Sequence, residues 1–164
     1  MKTKLLIKAV MLVAALSLLC GLTGCKKKNE YSVGDIISVS TACGHMDYSR
    51  SYSFYIVKKG ERWLFSADCS KDTESERIQF EDRAVSDEDV NELLSLTEAR
   101  DEIRRLESHK EPKLKVFVLD ETAYSSMICF SSGETLSAKT KMSDETVELF
   151  YRLSDKYNNT ASHE

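Results

Sequence analysis

The chain alternates between two hydrophobic periods, and this alternation predicts its secondary structure. In the first half, short runs of alternating apolar and polar residues are typical of half-buried strands. The predicted strands are Ile36 to Thr41, Tyr52 to Lys58, Trp63 to Asp68 and Arg77 to Arg83. Lys59-Gly60-Glu61 lies between two of these runs and predicts a tight hairpin turn. The pattern therefore indicates an antiparallel sheet.

A helical period follows at Ser86, an N-cap residue succeeded by three acidic residues. Acidic side chains are stabilised in the first turn by the positive end of the helix dipole. Apolar residues at helical spacing run from Val90 to Thr97, and Ile103 with Leu106 forms a second apolar pair before Pro112. We expect one helix that frays or restarts near Ala99.

The second half repeats this order of strands and helix. Its predicted strands are Leu114 to Leu119, Tyr124 to Phe130 and Thr135 to Lys139, and its helix, capped by Ser143, carries Val147, Phe150, Leu153 and Tyr157 on one stripe. The similar helix starts at Ser86 and Ser143 indicate either a duplicated meander-helix unit or two independent caps. Both interpretations predict the α+β class, with an antiparallel β-sheet of two meanders and helices packed on one face.

The N-terminus has the organisation of an export signal. Lys2, Lys4 and Lys8 precede an apolar stretch from Ala9 to Leu19. This stretch is shorter than the ~20 residues that span a bilayer and fits a secretory signal. Leu22-Thr23-Gly24-Cys25 resembles the lipobox of bacterial lipoprotein precursors, in which the cysteine is lipidated and the chain is cleaved before it.

These features predict four segments. They are a signal peptide at 1–24, lipidated Cys25 with a polar tether at 25–34, a single α+β domain at 35–158 and a disordered tail at 159–164. Lys26, Lys27 and Lys28 add electrostatic attraction to an anionic membrane surface. The predicted location is the extracytoplasmic face of the cell membrane, with a lipid anchor on Cys25.

The charge of the predicted mature chain argues against nucleic acid as a partner. Residues 1–24 contain three of the 23 basic residues and none of the 27 acidic ones, which leaves 20 against 27 and a net charge of −7. Nucleic-acid affinity depends on phosphate neutralisation by lysine and arginine. The composition therefore favours a soluble acidic surface.

Three cysteines, Cys43, Cys69 and Cys129, remain in the predicted domain. An exported compartment permits a disulfide between Cys43 and Cys69. The first and third strands of a meander, however, lie about 9.6 Å apart, whereas bridged Cα atoms lie about 4.4–6.8 Å apart. A bridge would therefore need convergent loops or directly adjacent strands, and both the bridged and the free states stay open.

Cys43-Gly44-His45, with Asp47, is the most reactive-looking cluster. Together with Cys69 it offers three zinc ligands, but the spacing is atypical and the sequence supplies no clear fourth ligand. A Cys–His nucleophile would need converging side chains and an orienting third group. The sequence therefore predicts no catalytic residue, no metal and no cofactor.

Aromatic residues crowd the first hairpin, where Tyr48, Tyr52, Tyr55 and Trp63 occur within a short stretch. Two bulky faces do not fit easily into one small core. The sequence therefore predicts a binding surface for a peptide, glycan or partner protein. The alternative is that a helix covers the second face.

Five short segments are recognisable as a set: Tyr52-Ser53-Phe54, Trp63-Leu64-Phe65-Ser66-Ala67, Val85-Ser86-Asp87-Glu88-Asp89-Val90, Leu119-Asp120-Glu121 and Phe130-Ser131-Ser132-Gly133-Glu134. In these segments the chain resembles a widespread group of uncharacterised, exported or lipid-anchored proteins of Gram-positive anaerobes. Cys43-Gly44-His45-Met46 departs from the small glycine-rich stretch expected there, and Lys139-Thr140-Lys141-Met142 replaces a glycine-rich loop. The resemblance implies envelope location and no particular activity.

The sequence thus favours a membrane-tethered, non-catalytic binding domain at the cell envelope. One alternative is an envelope enzyme or a metal or thiol-redox protein that uses Cys43, His45 and Cys69. Another alternative is an inhibitor or immunity-type lipoprotein.

We predict that Cys25→Ala releases the protein from the membrane fraction without unfolding the domain, because the acyl chains supply most of the attachment. Fractionation of cells followed by immunoblotting measures the distribution, and thermal unfolding of the released protein checks the fold. Retention of the variant in the membrane fraction would contradict the predicted anchor.

Overall fold

The computed structural model describes residues 31–45, 50–72, 75–110 and 122–160. In these ranges the strands are β1 Ile36–Gly44, β2 Tyr52–Lys59, β3 Arg62–Cys69, β4 Ile78–Val85, β5 Ala123–Phe130 and β6 Thr135–Ala138. The α-helices are α1 Asp87–Ala99, α2 Glu102–Ser108 and α3 Asp144–Thr160, and a short 3₁₀ helix covers Val33–Asp35. The predicted helix start and its restart before Leu106 are both observed, as separate helices.

The six strands form one antiparallel sheet in the order β4-β3-β2-β1-β5-β6. The first four strands are a meander, and the β5–β6 hairpin continues the sheet on the other side of β1. The predicted α+β class with an antiparallel sheet is therefore confirmed. The predicted strand Leu114 to Leu119 lies outside the described residues, so duplication of the whole unit stays a prediction.

One face of the sheet packs against α3 through stacked aromatic rings. Phe54 of β2 and Phe150 of α3 lie nearly parallel with centroids 5.3 Å apart, and Phe65 lies 5.9 Å from Phe150. Val39 and Ile128 share this face and are fully buried. Because side chains alternate across a strand, this face comes from every second residue, as the sequence pattern predicts.

The opposite face carries smaller and more polar side chains. Tyr55 lies there at 38% exposure, and Val57 and Leu64 are half-buried. Ser53 and Ser66 extend the same face. The bulky side chains of β2 are therefore divided between a covered face and a more exposed face of the sheet.

The β2–β3 turn depends on Gly60. Lys59 pairs with Arg62, so only Gly60 and Glu61 form the loop. Gly60 has a φ of +65°, a conformation that glycine adopts without the strain imposed by a Cβ atom. The predicted hairpin turn is thus confirmed, and the positive φ of Gly60 explains why a glycine suits this position.

The N-terminus of α1 is joined to the C-terminal turns of α3 by Asp89. Ser86 caps the helix by accepting from the Asp89 N–H at 3.3 Å. The Asp89 carboxylate accepts from Lys156 at 2.7 Å and from the Tyr157 hydroxyl at 2.5 Å. Burial opposes ionisation of Asp89, but these hydrogen bonds outweigh it and lower its pKa below the ordinary 3.8. The acidic residue of the first turn is therefore also a tertiary contact.

The N-terminus of α3 is joined to α2 in a similar way. Ser143 caps α3 by accepting from the Thr146 N–H at 3.3 Å. The fully buried Glu102 of α2 accepts from the Ser143 N–H at 2.7 Å and from the Thr146 hydroxyl at 2.9 Å. A carboxylate at this end of the helix is favourable for the dipole. Both predicted serine caps are confirmed.

The folded unit begins earlier than the predicted boundary at residue 35. Tyr31 stacks on Phe130 at 4.4 Å, and the Ser131 N–H donates to the Asp35 carbonyl at 2.8 Å. Tyr31, assigned to the tether, therefore contacts the end of β5. The compact unit Tyr31–Glu164 contains all the buried apolar residues of the described ranges and has its own core.

We predict that Asp89→Asn lowers the free energy of unfolding at pH 7 by about 1.5–3 kcal/mol, because hydrogen bonds to a charged group are lost or weakened. A carboxyl group with a lowered folded-state pKa stabilises the fold above its unfolded pKa of 3.8, and this contribution is lost as pH falls through the folded value. Urea unfolding at pH 7 and pH 3 should therefore show a smaller pH-dependent loss for the variant.

Asp87→Asn is the matched control, because Asp87 is an exposed residue of the same turn. We expect it to cost only about 0.3–1 kcal/mol through the helix dipole. Equal losses for the two variants would contradict the role of the contacts to α3.

Candidate functional site

A cleft of about 290 Å³ lies at the end of the sheet where β1 finishes and β2 and β5 begin. The strand ends contribute Cys43, His45, Arg50, Tyr52, Thr122 and Tyr124, and α3 with the residues before it contributes Lys141, Asp144, Val147 and Tyr151. Three of the sequence-predicted residues of interest, Cys43, His45 and Tyr52, therefore line one cavity.

The floor of the cleft is a row across three strands. Cys43 of β1 pairs with Tyr52 of β2 on one side and with Tyr124 of β5 on the other. Paired residues point to the same face of a sheet, so these three side chains lie side by side on the face that α3 covers. The row continues from Tyr52 to Cys69 of β3.

Tyr151 of α3 forms the wall above this row. Its ring meets the Tyr52 ring edge-on at 5.9 Å and the Phe54 ring edge-on at 5.1 Å. Burial raises the pKa of Tyr151 to about 12 and also raises the pKa of Tyr52. Both phenols are therefore neutral at physiological pH and retain a hydroxyl hydrogen for donation.

Hydrogen bonds hold the loops around the cleft. The His45 N–H donates to Ser51 Oγ at 3.0 Å, which fixes both ends of the β1–β2 connection. Ser126 Oγ donates to the Thr140 carbonyl at 2.7 Å and lies 3.0 Å from Thr41 Oγ1. These bonds attach the segment that carries Lys141 to the central strands.

Lys141 and Asp144 form an ion pair at the rim. The two groups are 2.6 Å apart, with 43% and 80% of their side chains exposed. A hydrogen bond from Lys141 lowers the pKa of Asp144, and the same bond raises the pKa of Lys141. Both groups are charged at neutral pH, and an exposed pair of this kind contributes little to stability.

The electrostatics of Cys43 do not favour a nucleophilic thiolate. Cys43 is 7% exposed, and burial raises its pKa, although Lys141 acts in the opposite direction. Reactive cysteines have lowered pKa values because the thiolate is the attacking species. The arrangement therefore suits contact with a ligand better than covalent chemistry.

The possible disulfide between Cys43 and Cys69 is not formed in the structure, where both cysteines are buried free thiols. Tyr52 lies between them in the sheet, since it pairs with Cys43 on one side and with Cys69 on the other. Two strand spacings amount to about 9.6 Å, beyond the reach of a disulfide. Of the two states that the sequence left open, the structure has the free one, because the strands are not direct neighbours and β2 intervenes.

The prediction that the aromatic residues of the first hairpin form one binding surface is wrong. Tyr52 and Trp63 are both 8% exposed and belong to the covered face, at opposite ends of the sheet. Tyr55 lies on the other face, and Tyr48 lies outside the described residues. Strand alternation separates residues that are close in sequence, so of the described aromatic residues of this hairpin only Tyr52 lines the cleft.

The described ranges contain no group of three His, Cys, Asp or Glu side chains arranged to hold a metal ion. Cys69 is separated from Cys43 by Tyr52, so the three ligands proposed from sequence do not converge. In the same part of the chain, no helix is long and apolar enough to cross a membrane. Cys25, Asp47 and the signal segment lie outside the described residues.

Comparison with protein-family models, with curated proteins and with solved structures found no match. The lipobox and the resemblance to exported proteins of Gram-positive anaerobes therefore stay predictions.

Several residues of the cleft were missed by sequence reasoning, chiefly Arg50, Tyr124, Lys141 and Tyr151. Tyr151 follows Val147 by four residues and therefore lies beside it on the helix, a signal that was present in the sequence. The approach of Lys141 and Tyr124 to Cys43 has no local signal, because it depends on pairing between β1 and β5.

We predict that native residues 26–164 expose one readily reactive thiol, Cys129, which is half-buried on the less covered face. Cys43 and Cys69 should react at least about tenfold more slowly at pH 8, because burial raises the pKa of both thiols. Titration with a chromogenic disulfide reagent, in native buffer and in denaturant, measures this. Rapid labelling of Cys43 in the native state would contradict the assignment.

Proposed function

We propose that this protein is a cell-envelope lipoprotein whose folded domain binds a protein, peptide or glycan without catalysing a reaction. Its binding site is the cleft at the end of β1. The observation that carries the proposal is the convergence there of Tyr52, Tyr124 and Tyr151 from three separate elements. Tyrosines combine apolar contact area with a polar hydroxyl and are favoured in ligand sites.

The position of the cleft within the sheet supports a tethered role. The chain joins the domain at Tyr31, next to the start of β1, whereas the cleft includes Cys43 near the end of that strand. β1 has nine residues, which span about 26 Å. Tyr31 and the cleft therefore lie at opposite ends of the sheet.

The chemistry of the cleft favours binding over catalysis. A thiol, two phenols and a paired lysine all hold their protons at neutral pH, since burial raises the pKa of Cys43, Tyr52 and Tyr151. His45 also lines the cleft and is the side chain type there that is suited to acid–base chemistry, but Cys43 is not activated as a nucleophile beside it, because burial raises the thiol pKa. These groups suit hydrogen bonding and ring contacts with a ligand.

We predict that an envelope component is captured by residues 26–164 and that Tyr124→Ala reduces this capture about tenfold. Loss of one aromatic contact, worth roughly 1–1.5 kcal/mol, accounts for that factor. Cross-linking in envelope extracts followed by quantitative mass spectrometry provides the measurement. Thermal unfolding of each variant confirms that the fold is retained.

Tyr55→Ala is the matched control, because it removes the same side chain from the opposite face. The Tyr55→Ala variant should capture as much of the envelope component as the unmodified domain does. Loss of capture in Tyr55→Ala with no change in Tyr124→Ala would move the site to the other face and contradict the proposal. Absence of any specifically captured component would contradict the binding function itself.

A further inference from the structure

A chain of buried hydroxyl groups runs from Tyr52, in the lining of the cleft, to the backbone of Thr140. Thr41 of β1 and Ser126 of β5 are paired in the sheet, and their hydroxyl oxygens lie 3.0 Å apart. Ser126 Oγ also lies 2.7 Å from the carbonyl oxygen of Thr140. Thr41 and Ser126 are each 1% exposed, so their hydroxyl groups are shielded from water.

Tyr52 is the end of this chain that reaches the cleft. Thr41 pairs with Phe54 across β1 and β2, and Tyr52 precedes Phe54 by two residues on the same face of the sheet. Diagonal neighbours of this kind lie within reach of an aromatic side chain, and the Tyr52 hydroxyl is hydrogen-bonded to the Thr41 hydroxyl. Because Tyr52 also lines the cleft, the chain connects the binding site with a fixed backbone carbonyl.

The carbonyl at the far end determines the direction of every hydrogen bond in the chain. A carbonyl oxygen can only accept, so Ser126 donates its single hydroxyl hydrogen to Thr140. Ser126 Oγ must then accept from Thr41, and Thr41 Oγ1, whose own hydrogen is used, must accept from Tyr52. The hydroxyl hydrogen of Tyr52 is therefore directed into the protein, and its oxygen has only lone pairs left for a ligand.

The hydroxyl group of Tyr151 is committed in the same way. It donates to the backbone carbonyl of Ser70 at 3.4 Å, and a carbonyl offers no hydrogen in return. Burial raises the pKa of Tyr151 to about 12 and also raises the pKa of Tyr52, so both phenols keep the hydrogen that these bonds require. Two of the tyrosines that line the cleft are therefore hydrogen-bond acceptors toward any further group.

We infer that Tyr52 determines the specificity of the cleft by selecting a ligand group that carries a hydrogen-bond donor, an amide N–H or a hydroxyl O–H. Such a group donates to Tyr52 Oη. A group that has lone pairs only would face an acceptor and lose its hydrogen bonds to water without replacement, and a site built in this way rejects the analogue that lacks the donor. The inference rests on the proposed binding function and adds the chemical class of the recognised group to it.

The test is a titration of ¹⁵N-labelled residues 26–164, followed by amide chemical shifts, with two pairs of probes of similar shape. Phenylacetamide is paired with methyl phenylacetate, which lacks the N–H groups, and 2-phenylethanol is paired with its methyl ether, which lacks the O–H group. We expect the donor probe of at least one pair to bind at least about fivefold more tightly than its partner and to shift cleft amides. The pair with the larger difference identifies an amide or a hydroxyl as the recognised group.

Tyr52→Phe should abolish this preference, because it removes the accepting oxygen and keeps the ring. Thr41→Val should reduce the preference at least about threefold, since it removes the internal acceptor and frees the Tyr52 hydrogen for a ligand. Thr135→Val is the matched control, because it makes the same substitution at an exposed residue of β6 and should leave the preference unchanged. Thermal unfolding confirms that each variant is folded.

Three results would overturn the inference. They are equal affinities within both probe pairs, an unchanged preference in Tyr52→Phe, and no binding of either donor probe. Equal effects of Thr41→Val and Thr135→Val would also overturn it, because the direction of the hydroxyl chain would then not determine what Tyr52 accepts.

Failure of the inference is distinct from failure of the proposed function. Capture that depends on Tyr124, without any preference for the donor probes, would overturn the class of the recognised group and leave the binding function in place. A preference that depends on Tyr52, without Tyr124-dependent capture of an envelope component, would instead support the class of the recognised group and contradict the proposed function.

Discussion

The parallel stack of Phe54 on Phe150 joins helix α3 to the sheet, and most other features of the domain depend on it. With this face of α3 against β2, Tyr151 comes to lie over Tyr52, and the first turn of the helix reaches the end of β1. At the other end, Lys156 and Tyr157 reach the N-terminal turn of α1. One apolar contact therefore determines both the wall of the cleft and the attachment of a second helix.

Polar contacts at the helix ends complement this apolar packing. Asp89 and Glu102 each place a buried carboxylate at a helix N-terminus and connect it with another helix. Removing either partner of such a bond leaves a buried polar group without its hydrogen bonds. The free-energy cost of that unsatisfied group exceeds the net stabilisation that the bond itself provides. The relative positions of the three helices are therefore specified by a few directional bonds.

Burial also determines the chemistry that the cleft offers. Cys43 and Tyr52 contact apolar neighbours in the sheet, and desolvation keeps both groups protonated. Arg50 and Lys141 lie at the rim, where water stabilises their charges. The cleft therefore combines a neutral floor with charged groups of both signs, including Asp144, at its rim.

Much of the fold was predictable from residue patterns. The alternation in Tyr52 to Lys58 and the serine caps at Ser86 and Ser143 identify strands and helices, because a side chain's burial and a helix's first hydrogen bonds are local properties. The position of Tyr31 against Phe130 was not predictable, since it depends on where a distant strand ends.

The sequence by itself determined the class of the fold, the order of its elements and the acidic charge of the predicted mature chain. Only the tertiary structure decided which residues are neighbours across strands. It separated Cys43 from Cys69 by Tyr52, divided the aromatic residues of the first hairpin between two faces, and brought Lys141 and Tyr151 to the end of β1. The physical reason is that periodicity reports burial along one element, whereas strand order and helix packing arise from contacts between residues far apart in the chain.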